Sequence, residues 1–278
     1  MNDAAGSRTS DCWGRLNDVA DISPVLTVLD SLPDGFRAAR RVLFRHLGLH
    51  SRSHVLEAGA GPGTALPDLL EWVGHGGRIV GIDPTRGLVA AAQDRARATG
   101  ASQASYEVGD IRQIAAPENA FDAAFCDKIL THVAPVSQAI AELVRVTRPG
   151  GRVGAVEWFA QGMVIAADYT ATRQVLDGSA PLAALNPTVP LELEDLLARG
   201  GLRDLESGTI VAESRQYLPS LKVMLERRVQ QAQELGAVKA DSGAAWLSAL
   251  EARSARGTFY WAALVRWAAG TKAAAPTL

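Results

Sequence analysis

Residues 55–64, VLEAGAGPGT, constrain the fold of this chain more than any other stretch. Apolar Val55 and Leu56 run into an acid, Glu57, and Gly59, Gly61 and Gly63 then follow at every second position. Glycine adopts positive φ without strain and lets a ligand lie against bare backbone. The stretch therefore reads as a buried parallel strand turning tightly into a helix beneath a nucleotide-like cofactor.

The spacing narrows the choice of cofactor. A dinucleotide fingerprint reads G-x-G-x-x-G, with the helix N-terminus facing a pyrophosphate. Here Thr64 occupies the third glycine position and the last glycine comes one residue early. Glu57 would repel a diphosphate and suits a cationic ligand. An NAD(P)-dependent oxidoreductase is thus the alternative that this loop disfavours.

Hydrophobic periodicity extends the α/β reading on both sides of the loop. Helices are expected over 25–31 and 36–47 ahead of the sheet, over 65–73, 88–99 and 135–147 between strands 78–82, 105–108, 121–126 and 152–158, and over 192–199, 220–235 and 244–254. Strands over 202–213 and 258–267 come last. Strands alternating with helices of this length demand a doubly wound, mostly parallel sheet with right-handed crossovers. Residues 160–189 break the rhythm with Gly162, Gly178, Pro181 and Pro187 around two expected helical pieces. An insertion after the fifth strand would lie over the strand ends where ligands bind. The expected organisation is one domain over 1–278, with N-terminal cap helices to residue 50, a cofactor core over 51–158, a cap insertion over 159–190 and the second half of the sheet over 191–278.

Composition excludes several function classes. A net charge of −2 and the lack of a Lys/Arg block leave no footprint for nucleic acid. No apolar run is long enough to span a membrane, and the first twenty residues lack a signal-peptide core. The first dozen residues read as disordered. Cys12 and Cys126 are the only cysteines and suggest neither a disulfide framework nor a Cys-based zinc site, which fits a cytoplasmic protein. His46, His50 and His54 repeat at four-residue spacing, but Gly48 ends the helix before they can share a face for zinc. No hard-oxygen ligand set backs Asp127, so no metal is expected. Neither G-x-S-x-G nor a phosphate-loop signature occurs.

Several motifs fall in order along the chain: LEAGAGPGT, GIDP ending in Pro84, VGDI over 108–111, FDAAFCDKILTHV and RVTRPGGRV. Together they resemble the successive motifs of class I S-adenosylmethionine (SAM) methyltransferases, and are similar to the ubiquinone/menaquinone-type, small-molecule branch. The resemblance covers roughly residues 20–158. It implies a Rossmann-like seven-stranded sheet whose last strand is antiparallel, SAM as cofactor, and methyl transfer to O, C or N of a small, apolar or aromatic acceptor of the kind met in secondary metabolism.

Residue by residue, the resemblance implies cofactor contacts at Glu57, Gly59, Gly61, Asp83, Pro84, Gly109, Asp110, Ile111, Asp127, Lys128 and His132. Asp83 would take the ribose hydroxyls and Asp110 the adenine amino group. His132, with an ordinary pKa near neutrality, and Glu157, at the end of the fifth strand, are the two candidate proton acceptors. Trp158, Phe159, Tyr169, Tyr217 and Trp246, together with Trp13, suggest an aromatic lining for the acceptor, beneath a cover formed by residues 1–35 and 160–190. A protein that binds SAM without transferring its methyl group stays open on this fold. The sequence leaves a homodimer open as well.

Overall fold

The computed structural model describes Asn17 and residues 21–274. Cys12, Trp13 and the disorder expected of the first dozen residues lie outside the described residues. Eight strands form a single sheet: β1 (His54–Ala58), β2 (Arg78–Asp83), β3 (Ala104–Val108), β4 (Phe121–Asp127), β5 (Thr147–Trp158), β6 (Val164–Ile165), β7 (Leu202–Ser214) and β8 (Trp261–Lys272). The helices are α1 (Ser23–Asp30), α2 (Asp34–His46), α3 (Leu66–Val73), α4 (Arg86–Ala98), α5 (Val136–Val146), α6 (Tyr169–Ala183), α7 (Val189–Arg199), α8 (Pro219–Glu234) and α9 (Ala240–Ala255).

The strand order is β3-β2-β1-β4-β5-β8, with β1 to β5 parallel. β8 runs antiparallel between β5 and β7. The α/β class and the antiparallel last strand match expectation. The eighth strand does not: the two-residue β6 pairs with Trp261 and Ala262, which β7 already holds from its own side. It therefore prolongs the edge of β5.

Buried parallel strands read as nearly continuous apolar runs, and their alternate residues feed opposite faces. On one face, Val55 and Phe125 meet Phe36, Leu43 and Phe44 of α2, the rings of Phe44 and Phe125 crossing edge-on at 5.0 Å. On the other, Leu56, Ala124 and Cys126 meet Ile140 and Leu143 of α5 and Leu193 and Leu197 of α7. Each helix carries its apolar residues three or four apart, which is the spacing that gives it one buried stripe.

Two segments depart from the sequence reading. Residues 160–189 hold a short 3-10 turn (Ala160–Gly162), β6 and one long helix, α6, rather than two helical pieces. α6 is tied to α8 and α9: Gln231 Nε2 donates to the Leu182 carbonyl at 2.9 Å and Trp246 Nε1 to Thr172 Oγ1 at 3.0 Å. β8 begins at Trp261 rather than Thr258, because the amide of Thr258 still bonds the Arg253 carbonyl at 2.9 Å and closes α9. It also runs on through Ala268 and Ala269, paired on both sides, and Gly270, paired with Val153 of β5 opposite the irregularity in β7, all small residues of weak strand propensity.

The order reverses between β1 and β4. Open α/β sheets bind ligands at such a switch point, outside the carboxyl ends of the strands. The glycine loop leaves β1 there and Lys128 leaves β4 there. Among the described residues no helix is long and apolar enough to cross a membrane.

Candidate cofactor and acceptor site

A cavity of about 430 Å³ opens above the ends of β1, β2 and β4, with α1 and α8 over it. Its floor is built from loops that leave the strands. Gly59 and Gly61 sit at φ +79° and +53°, where a side chain would strain the backbone. A Cβ on Gly59 would come within 2.3 Å of the Ile129 side chain, so the loop after β4 packs that side chain against the bare backbone of Gly59. A Cβ on Gly61 would meet nothing within 4 Å, and Gly61 lines the cavity.

Asp83 holds this loop in place. Its Oδ2 accepts from the Gly61 amide and its Oδ1 from the Thr85 amide, both at 2.9 Å. Burial raises its pKa, and those two amides oppose the rise.

Glu57 is the least satisfied acid of the floor. It is 3% exposed, and Oε2 has no hydrogen-bond partner. Burial pushes its carboxyl up to about 8, against the pull of the Arg40 guanidinium. Arg40, itself buried, reaches from α2 to Asp127 at 3.1 Å and to Asp68 at 3.2 Å, and donates to the Thr64 carbonyl. Asp68 also takes Arg37 and Arg41, each at 2.7 Å. The α2 helix is thereby clamped to the glycine loop by charge-assisted bonds.

At the end of β4, burial works to raise the Asp127 carboxyl, but Lys128 and Arg40 outweigh it and hold it below the usual range. Lys128 binds Asp127 at 2.6 Å from a left-handed backbone, φ +64°, a costly conformation for a residue with a side chain. Its ammonium lies 5.6 Å from the centre of the Phe36 ring. Phe36, Trp158 and Trp261 form an aromatic cluster with centroids 5.7 to 6.3 Å apart, and all three rings line the cavity.

Pro84, Asp110, Ile111 and His132 also line the cavity. Asp110 is drawn below its ordinary pKa by Arg112, which binds it at 2.6 Å. His132 sits on the 3-10 turn Leu130–His132, and burial, with Arg227 and Arg228 of α8 adding their charge, lowers it to about 4.

Two expected positions fall elsewhere. Gly109 is off the wall; its amide donates to the Asp83 carbonyl at 3.1 Å and fixes the turn after β3. Glu157 is fully buried and turned away from the cavity. It accepts from the amides of Ile129 and Leu130 at 2.8 and 2.6 Å and from Thr131 Oγ1 at 3.2 Å. So occupied, Glu157 anchors the loop after β4 and lies off the cavity wall on which a second base was expected.

Of the described aromatics expected to line the acceptor, Trp158 is on the cavity wall. Phe159, Tyr169, Tyr217 and Trp246 are off the wall, Tyr217 stacking on Phe259 at 4.9 Å and Tyr169 standing 78% exposed. His46 closes α2, binds Glu206 at 2.8 Å and stacks on Trp267, while His50 and His54 lie beyond the helix. Sequence reasoning missed Arg40, Phe36, Trp261 and Arg227. Only the arginines of α2 left a signal, since Arg37, Arg40 and Arg41 fall on one helical face opposite an acid that follows the glycine loop.

Residues 55–151 match the family model of a methyltransferase domain. A 37.1 kDa protein in a transposon of Streptomyces fradiae is 36% identical over 48% of this chain and 39% of its own length. The demethylmenaquinone methyltransferase of Beutenbergia cavernae is 31% identical over 44% of this chain and 48% of its own length. The chain thus spans less than half of either relative. The crystal structure of the [4+2]-cyclase SpnF covers 96% of this chain and 98% of its own with a TM-score of 0.59 at 21% identity, a likeness of fold. The glycine loop and the strand order agree with that match: residues 55–151 are similar to the methyltransferase domain, and the sheet around them has the fold of methyltransferase-like structures.

Proposed function

We propose that the chain transfers a methyl group from SAM to O, C or N of a small apolar or aromatic molecule. The observation that carries this reading is Glu57, a buried carboxyl group whose Oε2 has no partner, in a cavity wall it shares with the glycine loop. Leaving such an oxygen unpaired costs roughly 1 to 3 kcal/mol, which a cationic ligand would offset. SAM carries an ammonium and a sulfonium and fits this floor; NAD(P) would set its diphosphate against Glu57.

Bound there, SAM supplies a methyl group already activated on sulfur. The chain's own part is to hold, orient and exclude water. Asp83, once it has braced the loop, keeps lone pairs for hydroxyl donors. Asp110 and Ile111 offer a polar and an apolar edge to a base. The Phe36, Trp158 and Trp261 rings keep the deep wall dry. His132, neutral at pH 7, is the group on this wall that can accept a proton from an acceptor hydroxyl or acidic carbon.

A second reading, cofactor binding without methyl transfer, is favoured by one finding: the same fold serves a [4+2]-cyclase. Calorimetry with SAM, S-adenosylhomocysteine (SAH) and NADH tests the first claim, and release of labelled methyl into a panel of small acceptors tests the second. NADH binding without SAM binding would overturn the proposal. SAM binding with no transfer to any acceptor would leave the second reading.

A further inference from the structure

The cavity has two electrical halves. Among the described residues, the acids on its wall, Glu57, Asp83, Asp110 and Asp127, all come from the strand ends and following loops of the floor. The opposite side, from α1, α8 and the turn at Leu185, contributes apolar side chains such as Leu29, Leu221 and Met224, together with Ser220, and one charged residue, Arg227. The floor cations are already neutralised, Lys128 by Asp127 and Arg112 by Asp110. Arg227 has no carboxylate within ion-pair distance among the described residues.

Its neighbour Arg228 strengthens the contrast. Arg228 is 6% exposed, and the partner shown for it is Ser179 Oγ, at the long distance of 3.5 Å. A buried guanidinium without a carboxylate is costly. Burial, with Arg227 adding its like charge, lowers it to about 10, and the same two arginines depress His132 on the cavity wall. Two cations thus project their field into the apolar half of a cavity whose acids, among the described residues, lie in the other half.

We propose that the acceptor is an amphipathic acid, whose apolar body lies against the aromatic cluster and the α8 side chains and whose anionic group, of carboxylate type, is held by Arg227. This rests on the methyltransferase reading for the other occupant of the cavity. Opposite charges on cofactor and acceptor then meet opposite ends of the site, and an uncharged analogue would leave Arg227 unpaired.

The test uses matched pairs that differ in charge alone, decanoate with decanamide and 2-naphthoate with 2-naphthamide, titrated calorimetrically into the SAH-loaded protein. SAH is titrated separately into the free protein. In at least one pair the acid should bind about tenfold or more tighter than its amide, and Arg227→Gln should erase that difference while leaving the affinity for the amide and for SAH unchanged. Arg227 is exposed at the rim, so the variant should fold; its melting temperature checks this. Equal affinity for acid and amide in both pairs, a preference that survives Arg227→Gln, or no detectable binding of either acid at millimolar concentration would overturn the inference. Failure of SAH to bind would instead overturn the methyltransferase reading itself.

Discussion

The floor and the roof of the cavity are built by different means. On the floor, Glu57, Asp83 and Asp127 are fixed by the sheet: each sits within a residue or two of a paired strand position, and backbone amides or arginines hold two of the three. The roof is held by few bonds. α1 buries none of its residues although four of its eight are Val or Leu. It meets α8 through Ser31 and Ser220, whose hydroxyls and backbone exchange bonds of 3.0 and 2.7 Å. The difference implies a division of labour. On the proposed function, the floor would recognise a fixed cofactor through directional bonds, and the loosely tied apolar roof would adapt to an acceptor and shut out water.

The floor is most exposed to disruption at the glycine loop. Gly61→Val places a branched side chain at positive φ in the space the cofactor needs, so SAH affinity should fall more than about 100-fold while circular dichroism stays that of the folded protein. Retained SAH binding would move the cofactor off the floor.

His132 stands where floor meets roof. Its replacement by Gln should lower kcat by about 100-fold with SAH affinity nearly constant, if it takes the acceptor's proton. Because His132 titrates near 4 in the free protein, activity should be flat above pH 5 on its account and fall only below that. Loss of SAH binding with normal turnover at saturating cofactor would assign His132 to the floor instead. For an acceptor that attacks as an anion, no proton leaves and the variant should keep its rate.

Asp83→Ala tests the floor more gently. Loss of the carboxylate removes the ligand bonds and the brace on Gly61 and Thr85, and SAH affinity should drop by roughly 1 to 3 kcal/mol. On the roof the expected signal is kinetic. Amide exchange over 23–30 should slow several-fold on adding SAH, while β1 and β4 stay protected throughout. Equal exchange in α1 with and without ligand would mean the roof is as rigid as the floor.

The same division decides what the sequence could reveal. Floor residues follow a short-range grammar: a glycine at positive φ, or an acid closing an apolar strand, is legible within about ten residues, and so Glu57, Gly61, Asp83 and Asp127 were all readable. Roof and clamp are long-range. Arg40 meets Asp127 across 87 positions, and Trp261 meets Phe36 across more than 200. Nothing local in α8 marks Arg227 as facing a cavity. Glu157 misled because its place at a strand end was legible and its direction was not: the loop after β4 offered it two amides and a hydroxyl. In β8, Ala268, Ala269 and Gly270 hid a strand that only its two neighbours hold.

The smallest expected effect is the most specific to the floor, because it changes sign with ligand. Glu57 has a pKa of about 8 in the ligand-free fold against an ordinary 4.5, so the folded state holds a proton that the unfolded chain has lost. Its contribution to stability is therefore fully present below about pH 4.5 and is lost as pH rises through 8. Glu57→Gln keeps the shape and removes that loss. The variant should match the wild type in melting temperature near pH 5 and exceed it by a few degrees at pH 8. Glu157, raised to about 7 by burial, adds a slope of the same sign to both proteins and cancels in the difference. With SAH the order should reverse: an ammonium in the cavity favours the ionised carboxylate, so binding at pH 7 should release a proton, seen as a binding enthalpy that depends on the ionisation enthalpy of the buffer. Glu57→Gln should bind SAH more weakly and without that buffer dependence. A variant less stable than the wild type at pH 8 without ligand would mean that Arg40 already holds Glu57 ionised, and the floor would then be a preformed anion rather than an acid waiting for its cation.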